Sequence, residues 1–264
     1  MKTFFELRGK LSDKARLVTQ VTGLLLLLGL WSMVTALELV PKSLFPSPLS
    51  VLKSFSELHF NDGLIRNLLY SLQLNMVGYV EAVLICIPIG MLIGLFPIAN
   101  GLFSRPVDAL RFVPLTAVTG LFIAWFGIDD FMKVQFLAFG IIVYLLPIVA
   151  LRVSEVEDVY QQTAYTLGAT KWQTIRKVFI PSVLAKLSDD IRVIVAISWT
   201  YIIVAEMMNK SGGIGALAHT AARQSRIDKV FALLFIIVLI GFLQDLAFRW
   251  LDKLIFKFKH VKAK

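Results

Sequence analysis

The chain alternates on a long scale, with extended apolar runs separated by short polar segments. Between Arg16 and Glu38 stand 21 uncharged residues, among them the block Leu24 to Leu28, and between Glu81 and Arg105 stand 23. Apolar runs of this length predict membrane-crossing helices rather than strands. The pattern predicts six spans, at about 20–40, 67–96, 107–127, 131–152, 183–208 and 228–250. Pro41, Pro46 and Pro48 close the first span, and Arg105-Pro106 and Gly127 bound the third. The first run exceeds the h-region of a signal peptide, and no small-x-small cleavage site follows it, so it reads as a span. Residues 4–18, within an N-terminal segment 1–19, read as amphipathic and suited to a membrane surface. Residues 41–66 read as an external loop carrying a short helix.

Composition agrees with the pattern. The 264 residues are 57% hydrophobic and only 17% charged, with mean hydropathy +0.75. A chain this short cannot hide so much apolar surface in one soluble domain, which excludes that class as well as disordered and collagen-like chains. The net charge of +9 would suggest nucleic acid in a soluble protein, but here its distribution is the better guide. With both termini cytoplasmic, the inner segments hold 18 basic residues, including the tail 256–264, and the outer segments hold 8. Five spans would place that basic tail outside, so the charge bias favours six. The single cysteine, Cys86, excludes an intrachain disulfide and a cysteine metal cluster.

Residues 153–182 are too polar to span and too well patterned for a loose loop. Ser154 with Glu157, and Thr170 with Gln173, have capping-box spacing. Val156, Tyr160, Ala164 and Leu167 recur at helical spacing, and Gly168 suits a left-handed stop. Trp172, Ile175, Val178 and Phe179 give the next helix an apolar face, and Pro181 suits the first turn of the helix after it. Two short helices within 154–180 are therefore expected to meet at Gly168-Ala169-Thr170. Such an elbow either enters a groove on another protein or folds back on its own bundle.

The stretch from Gln162-Thr163-Ala164 to Gly168, followed by Val178, Ile180 and Pro181, resembles the EAA loop of permease subunits of binding-protein-dependent ABC importers. Leu44-Phe45-Pro46-Ser47-Pro48, Trp125-Phe126-Gly127 and Ala205-Glu206-Met207-Met208 with Gly212-Gly213-Ile214-Gly215 resemble the subgroup serving nitrate, sulfonate, taurine and bicarbonate uptake. The resemblance covers about residues 20–255. It implies an all-α polytopic membrane protein, a six-helix type I ABC importer permease bundle. It also implies a second permease copy, identical or similar, two ABC ATPase subunits carrying the ATP and magnesium, and an external solute-binding protein, in a prokaryotic plasma membrane. Tyr160, Gln162, Thr163, Ala164, Leu167, Gly168, Ala169 and Thr170 would form the contact with the ATPase. Gln162 and Thr163 depart from the Glu-Ala of the motif, which removes one charge-assisted contact and leaves an amide able to hydrogen bond.

The chain carries little chemistry of its own. It lacks the Gly-x4-Gly-Lys-Ser/Thr phosphate loop, so hydrolysis of ATP is not expected of it. His59, His219 and His260 lie far apart in sequence and form no recognisable ligand set, so neither a metal nor another cofactor is expected. Ionisable residues within spans are costly and mark candidate functional positions. Glu81 is one, either lining a cavity or bonded across helices to Asn75, Gln73 or Tyr79. Arg192 either pairs with Asp189 or Asp190 or forms an inner gate. Glu206 lies near the translocation path by resemblance, or caps the loop that follows. Ser198 and Thr200, like Thr116 and Thr119, either line a pore or pack helices. Asp108 and Arg111 are spaced to pair on one helix face, and Trp125, Tyr144, Trp199 and Tyr201 suit interface belts or packing. An ion-coupled carrier or a channel remains the alternative function.

Overall fold

The computed structural model describes residues 9, 11–208 and 211–260, so the amphipathic reading of residues 4–8 and 10, Lys210, and tail residues 261–264 lie outside it. Every regular element among the described residues is helical. Their contacts divide the chain into two compact units, residues 1–63 with 220–234, and residues 64–219 with 235–264.

In the smaller unit, α1 (Asp13–Ala36) starts where the Ser12 hydroxyl accepts the Ala15 N–H. The first span thus absorbs residues 13–18 of the segment read as amphipathic. Helix α2 (Pro48–Phe60) is the short helix expected in the first loop, with Ser47 as its N-cap and Pro48 in its first turn. Trp31 donates from Nε1 to the Pro46 carbonyl (2.9 Å) and stacks on Phe231. Arg226 pairs with Glu57 (2.8 Å) and Lys229 with Asp62 (2.6 Å), tying this loop to the start of the last span. The Arg226 guanidinium holds the Glu57 carboxyl below its usual range.

The larger unit is organised around α3 (Leu64–Leu95), α6 (Asp130–Ser154) and α9 (Ile180–Met208). Helices α3 and α6 pack with glycine at the seam: a Cβ on Gly90 would lie 2.5 Å from Val149 Cβ, and one on Gly94 2.5 Å from Val153 Cβ. Small residues allow this close approach, and dispersion replaces the hydrophobic drive that lipid cannot supply. The last helix, α11 (Ile227–Ile255), runs from one unit into the other.

Among the described residues, five helices are long and apolar enough to cross a membrane. The sixth span departs from its predicted form. Instead of one helix over 107–127, the chain forms α4 (Pro97–Leu110), a short 3₁₀ turn at Leu115–Val118 and α5 (Thr119–Phe126), with the two halves bent by 93°. Pro114 supplies the reason, because it disfavours helical geometry at Val113 and lacks an N–H.

Two expectations between α6 and α9 are also corrected. Ser154 does not open a capping box: it ends α6, and its hydroxyl donates back to the Leu151 carbonyl (2.8 Å). Helix α7 (Asp158–Thr166) begins after Glu157 without a side-chain cap. Nor does Pro181 open a separate helix. α8 (Lys171–Thr174) continues through a π-turn at Ile175–Phe179 into α9, where the Ile180 N–H reaches the Ile175 carbonyl. Proline adds no N–H to an α-helical ladder, and the wider turn immediately precedes it.

Candidate functional site

The elbow between α6 and α9 forms as the sequence predicts at its centre. Gly168 takes φ +78°, and the Ala169 N–H bonds to the Ala164 carbonyl (2.9 Å), closing α7. A side chain at that φ is strained, which accounts for glycine there. Thr170 and Gln173 form the reciprocal capping box, at 3.3 and 2.8 Å. The elbow turns Val156 inward and half-buries Ile175, Val178 and Phe179, but its turn stays open. Leu167 is 82% exposed, and Tyr160, Tyr165 and Trp172 are also exposed. Gln162, Thr163, Gly168 and Thr170 face solvent, while Ala164 and Ala169 are half-buried.

Beneath it lies an ionic brace that the sequence did not reveal. Arg152 holds Asp190 with two bonds (2.7 and 2.8 Å) and Glu155 with two more (2.9 and 2.7 Å). Lys186 donates to the Glu155 backbone carbonyl (2.9 Å). Glu155 is held below the usual carboxylate range chiefly by its hydrogen bonds from Arg152.

The intramembrane candidates separate into different surroundings. Glu81 receives the Gln135 amide nitrogen on both carboxylate oxygens (2.9 and 3.0 Å). Of its expected partners, Asn75 is bonded to Ser198 (3.0 Å) and the Tyr79 hydroxyl donates to the Ile191 carbonyl. Glu81 and Gln135 line a cavity of about 300 Å³ with Phe122, Trp125, Phe126 and Phe139. Glu81 is thus bonded across helices, though to Gln135 of α6 rather than to Asn75, Gln73 or Tyr79, and it also lines a cavity.

Arg192 meets Asp245 of α11 (3.3 Å) more closely than Asp189 (3.9 Å), and Asp190 is taken by Arg152. Ser198 is buried and packs α9 on α3 through Asn75, whereas Thr200 is exposed. Thr116 is exposed, and Thr119 donates to its carbonyl (2.7 Å). Asp108 and Arg111 pair as their spacing predicts, at the end of α4. They line a second cavity of about 420 Å³ with Tyr144. Trp199 is buried and donates to Gln244 (2.5 Å), and Tyr201 packs beside Phe136, while Trp125 is exposed.

Glu206 is fully buried, with both oxygens occupied: the Ser71 hydroxyl donates to one (2.6 Å) and the Gly215 N–H to the other (2.8 Å). Ser71 in turn accepts from the Ile214 N–H (2.8 Å), and Asn67 from the Gly213 N–H (2.8 Å). Side chains of α3 and α9 thus cap the start of α10 (Ile214–Arg223), the loop-capping geometry. Beside them lies Lys133, which the charge count placed in an outer segment. It is a fully buried residue of α6 that donates to Tyr70 (2.8 Å) and Ser211 (2.7 Å) and pairs with Asp130 (3.3 Å). Its position one turn after the Asp129 N-cap was the available signal for a residue inside the helix.

Comparison with known proteins agrees with these elements. Residues 86–257 match the family described as binding-protein-dependent transport system inner membrane component. A Bacillus subtilis permease named for aliphatic sulfonate transport is 31% identical over 244 residues, covering 90% of this chain and 87% of that protein. The Escherichia coli taurine transport system permease is 28% identical, covering 90% and 89%. The nitrate import permease of Synechococcus elongatus is 25% identical, covering 89% and 88%. Among solved structures, a methionine ABC transporter in inward-facing form shares the fold with TM-score 0.64 at 18% identity, over 72% of this chain and 94% of that one.

Proposed function

Because the chain belongs to the family of binding-protein-dependent transport system inner membrane components, and is a multi-pass permease subunit of an ABC importer, we propose that it carries a small oxyanion of the sulfonate, nitrate or bicarbonate type. The named solutes of its relatives, aliphatic sulfonates, taurine and nitrate, support that class. In this reading the chain pairs with a second permease copy, receives solute from an external binding protein and draws work from two separate ATPase subunits. Both termini and the elbow lie on the cytoplasmic side, in keeping with the bias of basic residues.

One observation carries the coupling role: the elbow is ordered by its own caps yet leaves Leu167 exposed at the turn. A helix as short as α7 is marginal alone and gains stability by packing against another surface. Tyr160, Gln162, Thr163, Ala164, Leu167, Gly168, Ala169 and Thr170 would enter a cleft on the ATPase, with glycine keeping the turn narrow. ATP closes the ATPase pair, the elbows move with it, and the path between the two permeases turns outward. Hydrolysis, on the partner subunit with its own ATP and magnesium, resets the assembly. Each ligand shifts this equilibrium only as far as its affinity differs between the two states.

The test is ATP-driven uptake by the complete complex in vesicles. Gly168→Asp is expected to abolish uptake while the protein still reaches the membrane; full uptake by that variant would sink the elbow assignment. Affinity purification from crosslinked membranes is expected to recover an ATPase and a solute-binding protein. Recovery of the chain alone would favour an ion-coupled carrier or a channel.

A further inference from the structure

We propose that the cavity walled by Glu81, Gln135 and a ring of aromatic side chains receives the cationic ammonium group of a zwitterionic solute, so that within the oxyanion class the path favours an amine-bearing sulfonate over a bare anion. This rests on the reading of the chain as an importer of small oxyanions. Three observations converge on it.

The first is placement. Glu81 sits midway along α3 and is half-buried rather than sealed inside the bundle. A carboxylate at this depth does not face hydrocarbon, because its desolvation there is too costly. The face it shares with α5 and α6 is therefore turned to a water-filled path or to the second permease.

The second is unfinished electrostatics. Among the described residues, Gln135 is the hydrogen-bond partner of the carboxylate, and no basic side chain lies within ion-pair distance of it. Arg192 is matched by Asp245, Arg152 by Asp190 and Lys133 by Asp130, while the buried Glu206 has both oxygens taken by Ser71 and the Gly215 N–H. Gln135 supplies two hydrogen bonds without neutralising the charge. A carboxylate left in that state attracts a cation and repels an anion.

The third is the wall opposite. Phe122, Trp125, Phe126 and Phe139 line the same cavity, whose volume of about 300 Å³ admits a small organic solute. Aromatic faces attract cations through the ring quadrupole, tryptophan most strongly, and a carboxylate with an aromatic wall is a recurrent ammonium site. Nitrate or bicarbonate has nothing to offer this pair, whereas an aminoalkyl sulfonate presents its amine to Glu81 and its sulfonate away from it.

The cation could also be inorganic, and the experiment separates the two. The complete complex would be reconstituted without its binding protein. Its thermal stabilisation would be titrated with 2-aminoethanesulfonate, with ethanesulfonate, which lacks the amine, and with N-acetyl-2-aminoethanesulfonate, which keeps the bulk but loses the charge. The expected result is stabilisation by 2-aminoethanesulfonate at concentrations about tenfold below those required of the other two. That preference should disappear in Glu81→Gln, which keeps a hydrogen-bonding partner for Gln135, and weaken in Trp125→Leu, whose exposed position leaves the core intact. Equal responses to the three sulfonates, or a preference that survives Glu81→Gln, would overturn the proposal. So would stabilisation by sodium or potassium chloride alone that Glu81→Gln removes, which would make this an inorganic cation site. Vesicle uptake with the binding protein restored isolates the underlying reading: ATP-driven uptake of any oxyanion upholds it whatever the titration gives, and its absence for all of them removes both.

Discussion

The two ends of the larger unit treat their polar and apolar groups in opposite ways. At the α9–α10 junction, Glu206, Ser71 and Asn67 saturate the backbone N–H groups of residues 213–215, and the buried Lys133 is bonded to Tyr70 and Ser211. At the elbow, the backbone is capped but leucine, tyrosine and tryptophan stand in solvent. The first end is complete within one chain, and its energetics are those of a core. The second is complete only as a shape, and it lends its apolar surface to whatever binds it. On the reading proposed above, stability and coupling are set at opposite ends of the same helix, α9.

The sharpest way to break this contrast is at Glu206. Glu206→Leu strands the Gly215 N–H and the Ser71 hydroxyl in a buried site, and a loss of about 3 kcal/mol is expected. Thermal melting of the purified chain in detergent would show it, and an unchanged melting point would refute the capping role. Gly213→Ala should cost about 2 kcal/mol by the same measurement, because φ is +101° and the added carbon would strike the Glu206 carboxyl. At the elbow, Leu167→Ser should change stability by less than about 0.5 kcal/mol yet lower ATP-driven uptake severalfold. A melting shift as large as that of Gly213→Ala would mean the elbow belongs to the core after all.

The smallest effect concerns pH. Glu155 titrates below its unfolded value of about 4.3, so its contribution is present above that pH and is lost as pH falls through the lower folded value. The melting difference between the wild-type chain and Glu155→Gln should therefore be small at pH 7, start to shrink once pH falls below the unfolded value of about 4.3, and vanish only below the lowered folded value.

What the sequence disclosed, and what it hid, follows the range of each interaction. Five of the six apolar runs, the Gly168 stop and the Thr170–Gln173 box are local, and each stands where its spacing predicts it. The partners of Glu81, Arg192 and Asp190 are Gln135, Asp245 and Arg152, each on another helix. Helical periodicity gives a face, not the register of one helix against another, so residues nearby in the chain were the natural candidates; Asp189 does pair with Arg192 at 3.9 Å, but the shorter contact crosses to another helix. The bend before α5 was legible and overlooked, since Pro114 stands in the middle of the predicted span. Lys133 misled through its charge, because basic residues are usually counted toward loops and this one is buried beside a hydroxyl pair.

The glycine seam between α3 and α6 has a mechanical consequence. With Val149 and Val153 set against backbone rather than against side chains, there is no compressible layer between the two helices. Sliding one along the other would drive a valine into the neighbouring turn, so the pair behaves as a single beam. A beam transmits rotation without storing it, and the give must come from its ends. Among the described residues, helical geometry breaks outside this pair at the 93° corner between α4 and α5 and at the over-wide turn at 175–179 that joins the elbow to α9.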